Sequence, residues 1–338
     1  MPVGISNLSG TLQGLVARGY PDIGQTFYVV DANYRTIAQG WSNGDRTGPL
    51  DLWSERGRGY VFRCGAGGEH ATDSVGIQAA IDAMVDFRGD ALFFTPGSYS
   101  LATALAVNVP DARWLGPLVS HPVLARTSIT AAVAAAIAPT AAADRMEVAF
   151  LQFIPMTAQT MWNCGALSGL HMHDCFYNAD GIAASTSTIF VILATTAEFC
   201  QFTRSYVWVD AAQGPWVNSA GIIKGLTVQD FEIYLEAGTW ASAINLDGVG
   251  ASDCHIGPGF VTGGGTALTT LVTIADKTKD TTHGMIHDIT CSTVGPAANA
   301  MVATTGADAE IDMGNCWLMR ADATALAATT SAAIGYGG

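Results

Sequence analysis

The residues best suited to chemistry recur in one setting. His171, Gln201, Thr227, His255, Thr290 and Asp312 each lie between two apolar residues, and Asp174, Arg204, Asp230 and Asn315 follow at the next polar pair. Two carboxylates and a histidine on neighbouring turns of chain would suffice for general acid–base catalysis. His171-x-His173 with Asp174 could ligate a metal, because strand alternation sends both imidazoles to one side, and His255 could add a third ligand. A lone His-x-His is a weak metal signal, and outward positions are polar by default, so solvation accounts for the same column. Trp208, Trp216, Tyr234 and Trp240 could stack on sugar rings or pack between subunits. Gly263-Gly-Gly265 is not followed by the Lys-Ser/Thr of a phosphate loop, and no Gly-x-Ser-x-Gly elbow occurs.

What must position these residues is a repeat: apolar, any, apolar, two polar or small residues, apolar. It reads Leu170-x-Met172-His-Asp-Cys175, Leu226-x-Val228-Gln-Asp-Phe231, Ile289-x-Cys291-Ser-Thr-Val294 and Ile311-x-Met313-Gly-Asn-Cys316, with weaker copies at Cys200 and Cys254. A period of about 28 residues falls in the range of solenoids. Alternating apolar residues would point inward and stack on the next rung, and the polar pair would turn the corner. No rung can bury its apolar face alone, so stacking is obligatory.

Ahead of the repeat, the stretch Thr72–Met84 predicts a short helix capped by Asp73 or Ser74, with Ile77, Ile81 and Met84 or Val85 as its apolar stripe. Ala91–Tyr99 adds a short apolar strand, Leu92–Thr95, and a Pro-Gly turn. Helix, tight strand and Pro-Gly-x-Tyr resemble the opening of a right-handed parallel β-helix of the pectate-lyase-like superfamily, of the kind found in tailed-phage virions. The resemblance implies an all-β solenoid whose helix plugs the open end. It says little of activity, since one solenoid serves lyases, hydrolases, adhesins and phage spikes. The paired aspartates, Gly-His-Gly and Arg-x-Lys of polygalacturonases are absent, as is the aspartate and arginine set of pectate lyases.

Composition narrows the reading. The 338 residues are 49% hydrophobic and only 13% charged, with 38 glycines. That suits a rigid, mostly β body with surface covered by partners or small uncharged side chains. The net charge is −14, and from residue 160 onward five cations face sixteen acids. Such a surface repels nucleic acid and polyanionic sugars. The seven cysteines show no zinc spacing and read as buried free thiols of a protein made in a reducing cytoplasm. No signal peptide is visible, and the Ala-rich run 128–143 is too short to span a membrane. It reads as an insertion or a wall segment of the solenoid.

Residues 1–25 read as a docking arm or a disordered terminus, and 26–68 as a small attachment module. Phe27–Val30 and Gly59–Cys64 read as strands, Leu50–Arg56 as a short helical turn, and Gly65–Gly68 as a hinge. Phe27, Tyr28, Trp41, Trp53 and Tyr60 are types enriched at interfaces. Residues 69–338 would be the β-helix. The tail 323–338 offers little bulk for a cap, so a second subunit or another protein is expected to cover that end. The reading is a non-catalytic structural virion protein without a cofactor or metal. A homotrimer is expected, since resembling virion proteins are usually trimers. It would attach to other virion proteins, such as the major capsid protein, as a capsid decoration (cement) or head spike. The alternatives are a tailspike or secreted glycan-degrading enzyme, which needs carboxylates such as Asp174 and Asp230 about 5–9 Å apart in a groove, and a non-catalytic adhesin binding a host glycan.

Overall fold

The computed structural model describes residues 8–10, 26–30, 36–41, 50–54, 57–66, 68, 70–86, 89–134, 136–187, 189–238, 240–246, 250–263, 268–274, 282–293, 300–304, 309–314, 316–320 and 334–336. Side chains are described for those between 61 and 246, and for 251–263, 268–274, 285–290, 314 and 316. The chain is an all-β parallel solenoid with one α-helix among the described residues. Successive short strands visit sheets of fifteen, nine and eight strands in turn, and a four-stranded sheet joins midway. Every pairing from Gly57–Cys64 onward to the following rungs is parallel.

The fifteen-stranded sheet carries the repeat. Most of its rungs there expose two outward positions around one inward residue, as in His171–His173, where Met172 is buried between half-buried histidines. A left-handed residue turns the chain before many of these strands (Asp111, Arg145, Gly169, Phe199, Gly225, Asp253) and another after (Phe150, Asp174, Arg204, Asp230, Asp288). The nine non-glycine φ angles lie between 46° and 61°. Left-handed backbone costs an ordinary L-residue about 1–2 kcal/mol, least for Asp and Asn, which is why aspartate recurs there. The corners also continue the ladder: Gly169, Phe199 and Gly225 donate their N–H to Glu198, Lys224 and Ser252 carbonyls at 2.8–2.9 Å.

The pairing register corrects the repeat in one place. Residues 170, 200, 226, 254, 284 and 311 are equivalent, spaced by 30, 26, 28, 30 and 27. The rung assigned to Ile289 therefore starts at Gly284, whose missing side chain hid the apolar signal. Ile289 instead opens the strand Ile289–Thr293 of the nine-stranded sheet, opposite Gly259. Thr290 thus leaves the outward column, and Met285 takes its place.

The helix Ser74–Asp82 is capped by Asp73, which accepts from the Gly76 N–H at 2.8 Å. It buries Ile77, Ala80 and Ile81, with Met84 below them, while Val85 is exposed. Gln78 accepts from the Ala106 N–H and donates to its C=O, and Ser74 accepts from the Thr103 N–H. These bonds satisfy the bottom edge of strands that have no rung beneath them. Beside it Tyr99 donates to the Cys64 carbonyl at 2.6 Å, and burial pushes its pKa up to about 12. Gly65 passes so close that a Cβ there would lie 2.1 Å from that hydroxyl. The Gly65–Gly68 turn is pinned by the Gly65–His70 and His70–Arg63 backbone bonds.

Ahead of this point the same sheet continues. Strands Thr26–Val30, Thr36–Trp41, Leu50–Ser54 and Gly57–Cys64 pair antiparallel in order, and Gly57–Cys64 pairs in parallel with Ala91–Phe94. Leu50–Ser54 is thus a strand, not a helical turn; Leu50 and Leu52 alternate with Asp51 and Trp53, a period of two. Leu8–Gly10 joins the edge of this sheet, and the rest of the arm lies outside the described residues, as does the tail apart from Ile334–Tyr336. The Ala-rich run supplies wall strands, Thr127–Ala131 and Ile137–Pro139.

The interior is more aromatic than a ladder of small side chains. Phe94, Trp114, Trp162, Phe153, Tyr177, Trp216 and Phe202 stack with centroids 5.4–5.9 Å apart along the axis. Trp216 and Trp240 are fully buried there, and Trp240 donates to the Gly214 carbonyl. Neither reaches a subunit or a glycan, which corrects the expectation for both: each occupies an inward position of its rung. Cys64, Cys164, Cys175, Cys200, Cys254 and Cys316 are free thiols.

Candidate functional site

The outward column of the fifteen-stranded sheet is, in register, Arg113, Glu147, His171, Gln201, Thr227, His255, Met285 and Asp312. Two clusters of chemistry-bearing residues lie along it. The lower one is a chain of opposite charges. Arg113 Nε donates to Glu147 Oε2 at 3.0 Å, Glu147 Oε1 meets His173 Nε2 at 3.2 Å, and His173 Nδ1 meets Asp174 Oδ2 at 2.7 Å. Arg204, one rung on, closes it with two bonds to Asp174 at 2.7 and 2.9 Å. His171 stacks on His173 with centroids 4.7 Å apart and bonds Thr203 Oγ1 at 3.0 Å.

Both nitrogens of His173 face carboxylates, which only accept and so favour the imidazolium, and the Arg204 guanidinium also lies 3.3 Å from Nδ1. Burial opposes that charge, but the bonds and charges of Asp174 and Glu147 outweigh it and raise its pKa above the ordinary value. Burial likewise opposes the Asp174 carboxylate, but His173 and Arg204 prevail and lower its pKa. An acid–base catalyst needs a proton it can exchange near working pH; here the contacts bias His173 toward the cation and Asp174 toward the carboxylate. The cluster also leaves His173 no lone pair for a metal.

The upper cluster repeats the dipeptide. His287 Nδ1 meets Asp288 Oδ2 at 2.7 Å, as His173 meets Asp174. His255 occupies the position that Glu147 holds below, and its ring stacks on His287 at 4.7 Å. Its Nε2 lies 3.1 Å from Met285 Sδ. His287 Nε2 is buried with no hydrogen-bond partner. Burial and the neighbouring His287 hold the His255 pKa below the ordinary value.

Several expectations change in place. His255 lies three rungs from His171, about 14 Å at ~4.8 Å per rung, and cannot share a metal with it. Asp174 and Asp230 lie two rungs apart, about 10 Å, and Arg204 stands on the rung between them. Among the described residues no group of three or more His, Cys, Asp and Glu is arranged to hold a metal. Asn315 and the Asp312 side chain lie outside the described residues. Glu147 and Arg113 escaped the sequence reading because it took up the repeat only from residue 165. Met285, His287 and Asp288 escaped it through the misplaced rung, although the recurrence of His-Asp could have revealed them.

Trp208 and Tyr234 do form a surface pair, half-buried on the outer face of the nine-stranded sheet. Their rings meet edge to face at 5.2 Å, and Trp208 Nε1 donates to Glu236 at 2.9 Å. Tyr206, Glu232 and the exposed Phe260 flank them, and His121 reaches over to Tyr206 and Glu232. Phe27, Tyr28, Trp41, Trp53 and Tyr60 are strand residues of the N-terminal segment, where Gln39 stands between Tyr28 and Trp53 in register. Their side chains lie outside the described set.

No family model and no curated protein matches the chain. Among solved structures it is similar to a chain described as Geobacillus virus E2 ORF18, at 9% identity over 89% of this chain and 75% of that one, with a TM-score of 0.25. It is also similar to an alginate lyase from Paenibacillus sp. str. FPU-7, at 10% identity over 77% of this chain and 95% of that one, with a TM-score of 0.29. At such scores neither likeness carries an argument about activity.

Proposed function

We propose that this chain is a non-catalytic structural protein of a tailed-phage virion. In this reading a right-handed β-helix, closed at its base by the Ser74–Asp82 helix, projects as a trimeric capsid decoration or head spike. The N-terminal segment attaches it to other virion proteins. The observation that carries the reading is continuity: the antiparallel N-terminal strands and the solenoid rungs share one fifteen-stranded sheet. An attachment held by residues 26–54 would pass directly into a rigid rod, with no linker between. The linked ion pairs of the lower cluster support a load-bearing face over a reactive one.

The test is the mass of the purified protein in solution, with and without residues 1–56, alongside its binding to particles that lack it. The deletion stops before Gly57–Cys64, because that strand is already a rung. A trimer that binds particles only with the segment present supports the proposal. A monomer that ignores particles and shortens an oligosaccharide overturns it. The Trp208–Tyr234 pair beside Glu232 and Glu236 favours, as a second reading, an adhesin whose aromatic strip binds a neutral glycan; loss of glycan retention in Trp208→Ala would support that.

A further inference from the structure

The upper cluster brings two imidazoles and a thioether together. Asp288, as a carboxylate, only accepts, so His287 Nδ1 carries the proton and Nε2 presents its lone pair. That atom is buried and unpartnered, an arrangement that costs about 1–3 kcal/mol in a neutral imidazole unless something fills it. A carboxylate holding the far nitrogen of an imidazole is the usual second contact of a metal-bound histidine. His255 brings a second ring 4.7 Å away, and its Nε2 meets Met285 Sδ at 3.1 Å, a poor hydrogen bond because a thioether accepts weakly.

We propose that His255, His287 and Met285 bind copper(I). The thioether is a soft donor that favours copper(I), and imidazole suits copper as well, whereas zinc takes four ligands and favours thiolate, imidazole and carboxylate. A metal held between His255 Nε2 and Met285 Sδ needs more room than their present 3.1 Å contact, and the half-exposed, flexible Met285 can give it. The chain's acidic excess, sixteen acids against five cations from residue 160 on, favours binding of a cation over an anion.

The experiment is a copper(I) titration of the full chain under anaerobic conditions against a chromophoric chelator. Methionine methyl NMR, with Met285 assigned from Met285→Leu, locates the metal independently of the cysteines. The expected result is uptake of copper(I) that moves the Met285 methyl. Affinity at this site should fall at least tenfold in His287→Gln, Met285→Leu and His255→Glu, the last rebuilding the lower cluster's arrangement. Far-UV circular dichroism and urea unfolding check that each variant folds. The proposal is overturned if the Met285 methyl does not move, if the variants bind as the parent does, or if zinc(II) displaces copper(I) from this site.

Discussion

Two corners of the same face begin with the same dipeptide, His173-Asp174 and His287-Asp288, and the aspartate grips the imidazole Nδ1 at 2.7 Å in both. What differs is the residue one rung below and diagonally across: Glu147 in one, His255 in the other. Glu147 takes the second nitrogen of His173 and is itself held by Arg113. His255 offers His287 only a stacked ring, and Thr227 stands where Arg113 would. One corner is a closed circuit of charge, the other an open set of lone pairs. In a solenoid the backbone repeats, so a few substitutions in the outward column separate the two corners.

The largest expected effect lies in the closed corner. Glu147→Ala leaves the buried Arg113 and the half-buried His173 without their shared counter-charge, and should cost about 3 kcal/mol in urea unfolding. The matching change in the open corner, His255→Ala, should stay within about 1 kcal/mol. Equal losses would mean that the two corners are held alike, and the contrast would fail.

That contrast was half legible in the sequence. The helix stripe, the Ala91–Phe94 strand and the polar-pair corners could be read because each rests on local spacing. His171, His173 and Asp174 could be placed outward for the same reason. Glu147 could not, because its partner His173 is 26 residues away and only stacking joins them. Gly284 has no side chain to mark its rung, which hid Met285 and His287. Trp216 and Trp240 looked like surface aromatics because alternation shows that a side chain points one way, but not which way is in.

A second expectation concerns pH. The folded pKa of His173 is raised, so its contribution is complete below the unfolded value, about 6.5, and is lost as pH rises through the higher folded value. The folded pKa of Asp174 is lowered, so its contribution is present above about 4 and is lost as pH falls through the lower folded value. The closed corner should be strongest between about 4 and 6.5. Compared with His173→Gln, the parent protein should lose part of its stability advantage over the range above about pH 6.5. An advantage that stays constant over that range would show that His173 is not held as a cation.

The smallest effect compares the two column residues beside the histidines, His171 and Met285. His171 stacks on His173 and bonds Thr203, both half-buried, so His171→Leu removes a hydrogen bond and should cost about 1 kcal/mol. Met285 is 48% exposed and touches His255 through a weak acceptor, so Met285→Leu, nearly equal in volume, should change stability by less than about 0.5 kcal/mol. Measured together in metal-free buffer, the pair separates structure from binding. If Met285→Leu destabilises the chain as much as His171→Leu, then Met285 is a packing residue of a second strut. If it is neutral without metal and stabilisation by added copper(I) disappears with it, its place in the column reflects the ligand.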